Sequence, residues 1–130
     1  MQDTGRKVII VEDDPGMRGS LEFLLEAHGI AVEAFDAADE LADGLGSLAP
    51  ACAILDVHLN GANGLAVYEQ FRTHGRALPA IFITGRADDL IRAQARRLKA
   101  VALLEKPFSD SALLGAVERA LAASATPAAA

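Results

Sequence analysis

The feature that most constrains this chain is a regular change of hydrophobic period. Val8, Ile9, Ile10 and Val11 are apolar at four successive positions, and the same is true of residues 51–55, 80–83 and 101–104; Ile30, Ala31 and Val32, with Phe35, form a fifth, less uniform run. A strand with one face in water alternates polar with apolar, whereas a strand apolar throughout needs cover on both faces, as in parallel sheets. Between these runs the spacing becomes helical. Met17, Leu21, Leu24 and His28 fall on one stripe, as do Leu41, Leu45 and Leu48, then Leu65, Tyr68 and Phe71, then Ile91, Ala95 and Leu98; Leu113, Val117 and Leu121 form the last. Five strand–helix units in succession close as a parallel sheet with right-handed crossovers and helices on both faces. The expected class is therefore α/β, a doubly wound five-stranded parallel sheet in the order 2-1-3-4-5.

Local signals agree with this division. Asp14 followed by Pro15 reads as a helix cap and first turn, Gly29 and Gly75 stand where helices should end, and Ser109 or Asp110 can cap the last helix. A chain of 130 residues buries roughly two-thirds of its unfolded surface, enough for one core. We expect an N-terminal extension at 1–6, one domain at 7–123, and a flexible tail or the start of a linker at 124–130. The single cysteine, Cys52, rules out an internal disulfide and is expected in the core of the third strand. The polar opening and short apolar runs give no signal peptide or membrane helix, so a cytoplasmic location is expected. With 18 acidic residues against 12 basic, the surface should repel nucleic acid.

In an open parallel sheet, ligands bind outside the carboxyl ends of the strands. Those positions carry Glu12, Asp13 and Asp14 after the first run, Asp56 after the third, Thr84 and Gly85 after the fourth, and Glu105, Lys106 and Pro107 after the fifth. The order 2-1-3-4-5 makes the first and third strands neighbours, which gathers Glu12, Asp13 and Asp56. Like charges ~4 Å apart at an effective dielectric of ~20 cost about 4 kcal/mol, so such a cluster must hold protons or a cation. Oxygen donors with coordination positions to spare suit Mg²⁺. Lys106 and Thr84 beside them offer a positive charge and a hydroxyl to phosphoryl oxygens. The residues thus point to a Mg²⁺-dependent phosphoryl site with a carboxylate at its centre.

With these motifs in order, the chain resembles the receiver domain of two-component response regulators over residues 6–123. The resemblance rests on the acidic pair in Val11-Glu12-Asp13-Asp14, on Asp56 with Gly64 eight residues further on, on Thr84-Gly85, and on Lys106-Pro107-Phe108. It implies a flavodoxin-like (βα)5 sandwich and a phosphoprotein of phosphorelay signal transduction. Asp56 would be the phosphoacceptor, forming an aspartyl phosphate with a histidine kinase, a phosphotransfer protein or a small phosphodonor. Mg²⁺ would be held by Asp13, Asp56 and the His58 backbone carbonyl, with Glu12 reaching it directly or through water. Lys106 and Thr84 would bond phosphoryl oxygens, and Thr84 would bias a surface made of the helix around Arg92, the strand at 101–104 and the last helix. That surface would serve a homodimer or a partner. Such a domain is not an enzyme in the ordinary sense, since it catalyses only its own phosphorylation and dephosphorylation.

The chain departs from the family pattern at several positions. Asn60 stands where Pro is usual, four residues after Asp56, so a looser loop is expected; Leu103 replaces the usual switch aromatic, and Lys99 replaces a common Gly. His58 and Arg86, two residues after Asp56 and Thr84, flank the hydrolytic water in such domains. Neither is a carboxamide or carboxylate, which implies a long-lived phosphorylated state. The competing reading is a receiver-like interaction module that works without phosphorylation, favoured by Asn60 and Leu103 and opposed by the intact Asp56, Thr84 and Lys106. An aspartyl phosphohydrolase is disfavoured because Glu12 stands where its nucleophile should be, and no Walker or Gly-x-Gly-x-x-Gly motif is present.

Plainer readings cover the remainder. Asp14 reads as a cap. His28, His58 and His74 lack a second His or Cys at zinc spacing, so their rings are not expected to bind metal. Arg92, Arg96, Arg97 and Lys99 read first as a solvated helix face and second as a surface for an acidic partner or for Asp110 and Glu118 of another copy.

Overall fold

The structure is a computed structural model that describes residues 7–36, 50–59, 61–73 and 78–125. Five strands, β1 (Lys7–Val11), β2 (Ala31–Phe35), β3 (Pro50–Asp56), β4 (Ala80–Thr84) and β5 (Ala102–Glu105), form one parallel sheet in the order β2-β1-β3-β4-β5. The helices are α1 (Pro15–Ala27), α2 (Gly64–Thr73), α3 (Asp89–Arg97) and α4 (Asp110–Ala125). A separate antiparallel ribbon of His58–Leu59 with Ala62–Asn63 follows β3. The stripe of Leu41, Leu45 and Leu48 lies outside the described residues, as do Asn60, His74 and Gly75.

The apolar strands are covered on both faces because their side chains alternate between two cores. Ile9, Val11, Ala53, Leu55 and Phe82 pack with Leu65, Tyr68 and Phe71 of α2 and with Ile91 and Ala95 of α3. Val8, Ile10, Cys52, Ile54, Ile81 and Ile83 pack with Leu21 and Leu25 of α1 and Leu113, Ala116, Val117 and Ala120 of α4. Tyr68 sends its hydroxyl out of the first core to donate to the Leu78 carbonyl at 2.6 Å, while its ring meets Phe82 edge-on at 5.7 Å.

Strand register builds the functional edge one step at a time. Val11 lies opposite Leu55, so Glu12 and Asp56 leave the sheet side by side. Asp56 lies opposite Ile83, and Thr84 opposite Glu105, so Thr84 and Lys106 each follow one residue later. Main-chain bonds extend the pairing past the strands: Glu12 N–H donates to Phe35 O, Val57 N–H to Ile83 O and Lys106 N–H to Thr84 O.

Helix ends show where sequence expectation holds and where it fails. Asp14 caps α1, its side chain accepting from Met17 N–H at 2.8 Å with Pro15 in the first turn. Ser109 caps α4 through Ala112 N–H, and Asp110 is already the first helical residue. Gly29 ends α1 at φ 77°, where a side chain would be strained. His28 does not complete the α1 stripe: the helix ends at Ala27, His28 sits exposed at the cap with its ring on the Leu24 carbonyl, and Leu25 is buried instead. Lys99 takes the left-handed conformation at φ 59° after α3, so the turn that Gly usually serves is made here by a lysine.

Candidate functional site

Three carboxylates converge beyond β1 and β3. Glu12, Asp13 and Asp56 each offer an oxygen within 4.8 Å of the others. Glu12 is fully buried and Asp56 is 3% exposed, yet neither is orphaned. Asp56 Oδ1 accepts from His58 N–H at 2.8 Å and Oδ2 from Lys106 Nζ at 2.7 Å, while Glu12 accepts from Asp14 N–H through Oε2 and lies 3.4 Å from Lys106 Nζ through Oε1.

Burial pushes the Glu12 carboxyl up to about 7, against the Asp14 amide bond that lowers it and with the negative charge of Asp56 that raises it further. Lys106 feels burial in the opposite sense, but its hydrogen bond to Asp56 and the charges of Asp56 and Glu12 outweigh it and raise its pKa. With all three carboxylates ionised and Lys106 protonated, the cluster carries two net negative charges, which one divalent cation balances. The donors are hard oxygens with no ring nitrogen or thiolate among them, the set that suits Mg²⁺ rather than zinc.

Gly64 explains the spacing to Asp56. The first residue of α2 donates its N–H to Val57 O at 2.8 Å, and a Cβ there would fall on the Asp56 carbonyl oxygen. Only glycine lets α2 approach the peptide that carries the Asp56 side chain. The helix is capped by Asn63, whose Oδ1 accepts from Leu65 N–H at 2.8 Å. The ribbon pairing and Gly61 at φ 71° order the described residues on either side of position 60, while the looser loop expected from Asn60 falls on that position, outside the described residues.

Thr84 is fully buried, and its hydroxyl is engaged with the loop that follows: it donates to Arg86 O at 3.0 Å and accepts from Arg86 N–H at 3.1 Å. Ala87 N–H reaches Glu105 Oε2 at 3.4 Å. His58 and Arg86 are exposed at the rim. Leu103 is half-buried and lines, with Ala87, Arg92, Arg96 and Glu105, an open groove of about 380 Å³ between α3 and β5. The basic cluster on α3 is partly used internally, since Arg97 pairs with Glu69 of α2 at 3.3 Å and Arg92 with Asp89 at 3.5 Å. Burial holds the Cys52 thiol up at about 12, leaving it protonated and inert in the core.

Sequence reasoning brought together Glu12, Asp13, Asp56 and Lys106 as the structure does, and placed Thr84 at the same edge. It missed Arg18, whose Nη1 donates to the Glu12 carbonyl at 2.9 Å. The available signal was position: a side chain in the first turn of a helix leans back toward the loop before it.

Comparison with known proteins agrees with this geometry. The family model for the response regulator receiver domain matches residues 8–118. The chain belongs to that family. It is 35% identical over 114 residues to the transcriptional regulatory protein FixJ of Bradyrhizobium diazoefficiens, covering 88% of this chain and 56% of the relative. It is 34% identical over 121 residues to the response regulator protein TodT of Pseudomonas putida, covering 93% and 53%. The chain thus spans about half the length of these curated relatives. Among solved structures, FixJ-N superposes with a TM-score of 0.83 at 30% identity, covering 94% of this chain and 96% of that one. A receiver protein from Burkholderia phymatum gives 0.79 at 36% identity, covering 90% and 95%. As a receiver domain, the chain is a signalling module of two-component systems. No described helix is long and apolar enough to cross a membrane.

Proposed function

We propose that Asp56 is the phosphoacceptor of this receiver, and that the phosphoryl group comes from a histidine kinase, a phosphotransfer protein or a small phosphodonor. The observation that carries the reading is the setting of one buried carboxylate between an acidic pair and an ammonium 2.7 Å away. A carboxylate oxygen of Asp56 forms the new P–O bond while the donor's P–N or P–O bond breaks in line. Asp13 and Asp56, with Glu12 and the His58 carbonyl, are the groups that would hold Mg²⁺, which when bound supplies the positive charge that offsets the incoming phosphoryl oxygens. Lys106, already on Asp56, holds one of those oxygens. His58 N–H orients the acceptor by fixing Oδ1.

Thr84 links the site to output. Its hydroxyl spans Arg86 N–H and O, so turning toward a phosphoryl oxygen releases the β4–α3 loop. That loop borders the groove at Leu103, and the α3, β5 and α4 face is the surface through which a partner or second copy would read the change. His58 and Arg86 at the rim offer no carboxylate or carboxamide to orient a hydrolytic water, which supports a phosphorylated lifetime of many minutes, in the cytoplasm with the donor.

The test is intact mass after incubation with Mg²⁺ and acetyl phosphate. A gain of one phosphoryl group that disappears in Asp56→Asn and without metal is expected. A folded protein that gains nothing from any donor or kinase would overturn this reading and favour the phosphorylation-independent interaction module.

A further inference from the structure

Among the described residues, two side chains hold Arg86 and Ala87 in the loop between β4 and α3. Thr84 spans Arg86 N–H and O with its hydroxyl, and Glu105 accepts from Ala87 N–H through Oε2 at 3.4 Å. The two stand side by side, since Thr84 and Glu105 are register partners on β4 and β5. Side chains alternate along a strand, and Phe82 and Leu103, two residues earlier in each, both pack in the core that α2 and α3 cover; Thr84 and Glu105 therefore point to that same face. Glu105 is fixed at its base, because Lys106 N–H donates to Thr84 O and Lys106 Nζ is held by Asp56. Its carboxylate is left to the Ala87 amide: Arg92 and Arg96 line the same groove, yet Arg92 pairs with Asp89, and among the described residues no arginine pairs with Glu105.

The two ties differ in what a phosphoryl group on Asp56 does to them. Thr84 exchanges Arg86 for a phosphoryl oxygen, one hydrogen bond for another. The bond from Ala87 to Glu105 has no such replacement, and at 3.4 Å it has little slack when the loop moves with Thr84. A contact made in one of two states stabilises that state by its own free energy, and lowers by the same amount the affinity for any ligand that favours the other. We propose that Glu105 is the latch of the resting state: its carboxylate holds the Ala87 amide while Asp56 is unmodified, and so lowers the affinity of the site for a phosphoryl group. The proposal rests on the reading of Asp56 as phosphoacceptor and adds the residue that sets how readily the domain switches. It assigns Glu105 no contact with the cation or the phosphoryl group.

The experiment titrates beryllium fluoride, a stable stand-in for a phosphoryl group on a carboxylate, into the full chain at saturating Mg²⁺. Wild type, Glu105→Gln, Glu105→Met and Asp56→Asn are compared. Gln keeps a carbonyl acceptor without the charge, whereas Met keeps the length without a strong acceptor. Roughly 0.5 M salt shortens the Debye length to a few ångströms and so screens the lost charge itself. Amide exchange at Ala87 is followed before beryllium fluoride is added. One net hydrogen bond corresponds to a ~2–10-fold change in an equilibrium, so Glu105→Met should bind about threefold more tightly than wild type, with faster exchange at Ala87, and Glu105→Gln should stay close to wild type in both. Equal affinity in wild type and Glu105→Met, whatever the exchange or the melting temperature, would leave the bond no part in switching and overturn the proposal. Equal tightening in Glu105→Gln and Glu105→Met would make charge rather than the hydrogen bond the cause, and overturn it too. If Glu105→Met fails to fold, Glu105→Ala takes its place against Glu105→Gln. A folded wild type that binds no beryllium fluoride, or binds it no better than Asp56→Asn, overturns the phosphoacceptor reading and the proposal with it; binding that needs Asp56 but ignores Glu105 overturns the proposal alone.

Discussion

Two loops meet at the carboxyl edge of the sheet and are held in opposite ways. The turn from β1 to α1 is bound at nearly every point: Glu12 by Phe35, Arg18 and Asp14, and Asp14 in turn by its cap on Met17. The loop from β4 to α3 hangs on one hydroxyl, Thr84, and on a long 3.4 Å contact from Ala87 to Glu105 before Asp88 caps α3 through Ile91 N–H. The first arrangement holds repelling charges in one place. The second can be released by moving a single side chain, as a switch requires. On the function proposed above, the first would serve the chemistry, which needs preorganisation, and the second the signalling, which needs two nearly equal states.

The comparison breaks most completely at Gly64. Gly64→Ala puts a methyl onto the Asp56 carbonyl, and forcing main chain apart in a packed region costs about 1–3 kcal/mol or more. Loss of that stability in denaturant unfolding should be accompanied by loss of Mg²⁺ binding, because α2 can retreat only by moving the peptide of Asp56. Retained Mg²⁺ affinity would mean that Asp56 is fixed from elsewhere.

Glu12 tests the charge held in the rigid turn. Its carboxyl is raised from 4.5 to about 7, so relative to the unfolded chain it favours the fold least when ionised. Its contribution is fully present below pH 4.5 and is lost as pH rises through about 7. Between pH 4 and 8 the stability of metal-free Glu12→Gln should therefore move in the variant's favour by on the order of 3 kcal/mol relative to wild type. Saturating Mg²⁺ should erase the shift. A constant difference across this range in chemical denaturation would show that the turn tolerates the charge.

Effects should be smaller in the looser loop. Thr84→Val removes one donor and one acceptor from Arg86, worth about 1 kcal/mol, and should speed amide exchange at residues 86–88 while leaving Mg²⁺ affinity unchanged. A change in Mg²⁺ affinity would show that the two loops are already coupled without a phosphoryl group. At the far end of α3, Lys99→Gly relieves a side chain in the left-handed conformation and should raise stability by about 0.5–1 kcal/mol in thermal unfolding.

The sequence by itself determined the sheet and most of the site. Runs apolar at every position, such as residues 80–83, can be satisfied only by cover on both faces, and the change to helical spacing between them fixes the topology. Glu12, Asp13, Asp56 and Lys106 were legible because topology alone puts the ends of β1, β3 and β5 on one edge. Tertiary structure decided what depends on distances between segments remote in sequence. That Gly64 must lack a side chain follows from the approach of α2 to Asp56, and that Arg97 is spent on Glu69 follows from how α3 lies beside α2. Leu25 rather than His28 finishes the buried face of α1 because the helix stops at Ala27, one residue before the period would place His28. Arg18 could be placed in a first turn from sequence, but its partner, a carbonyl that every residue possesses, carries no sequence signal and becomes specific only once the turn is folded.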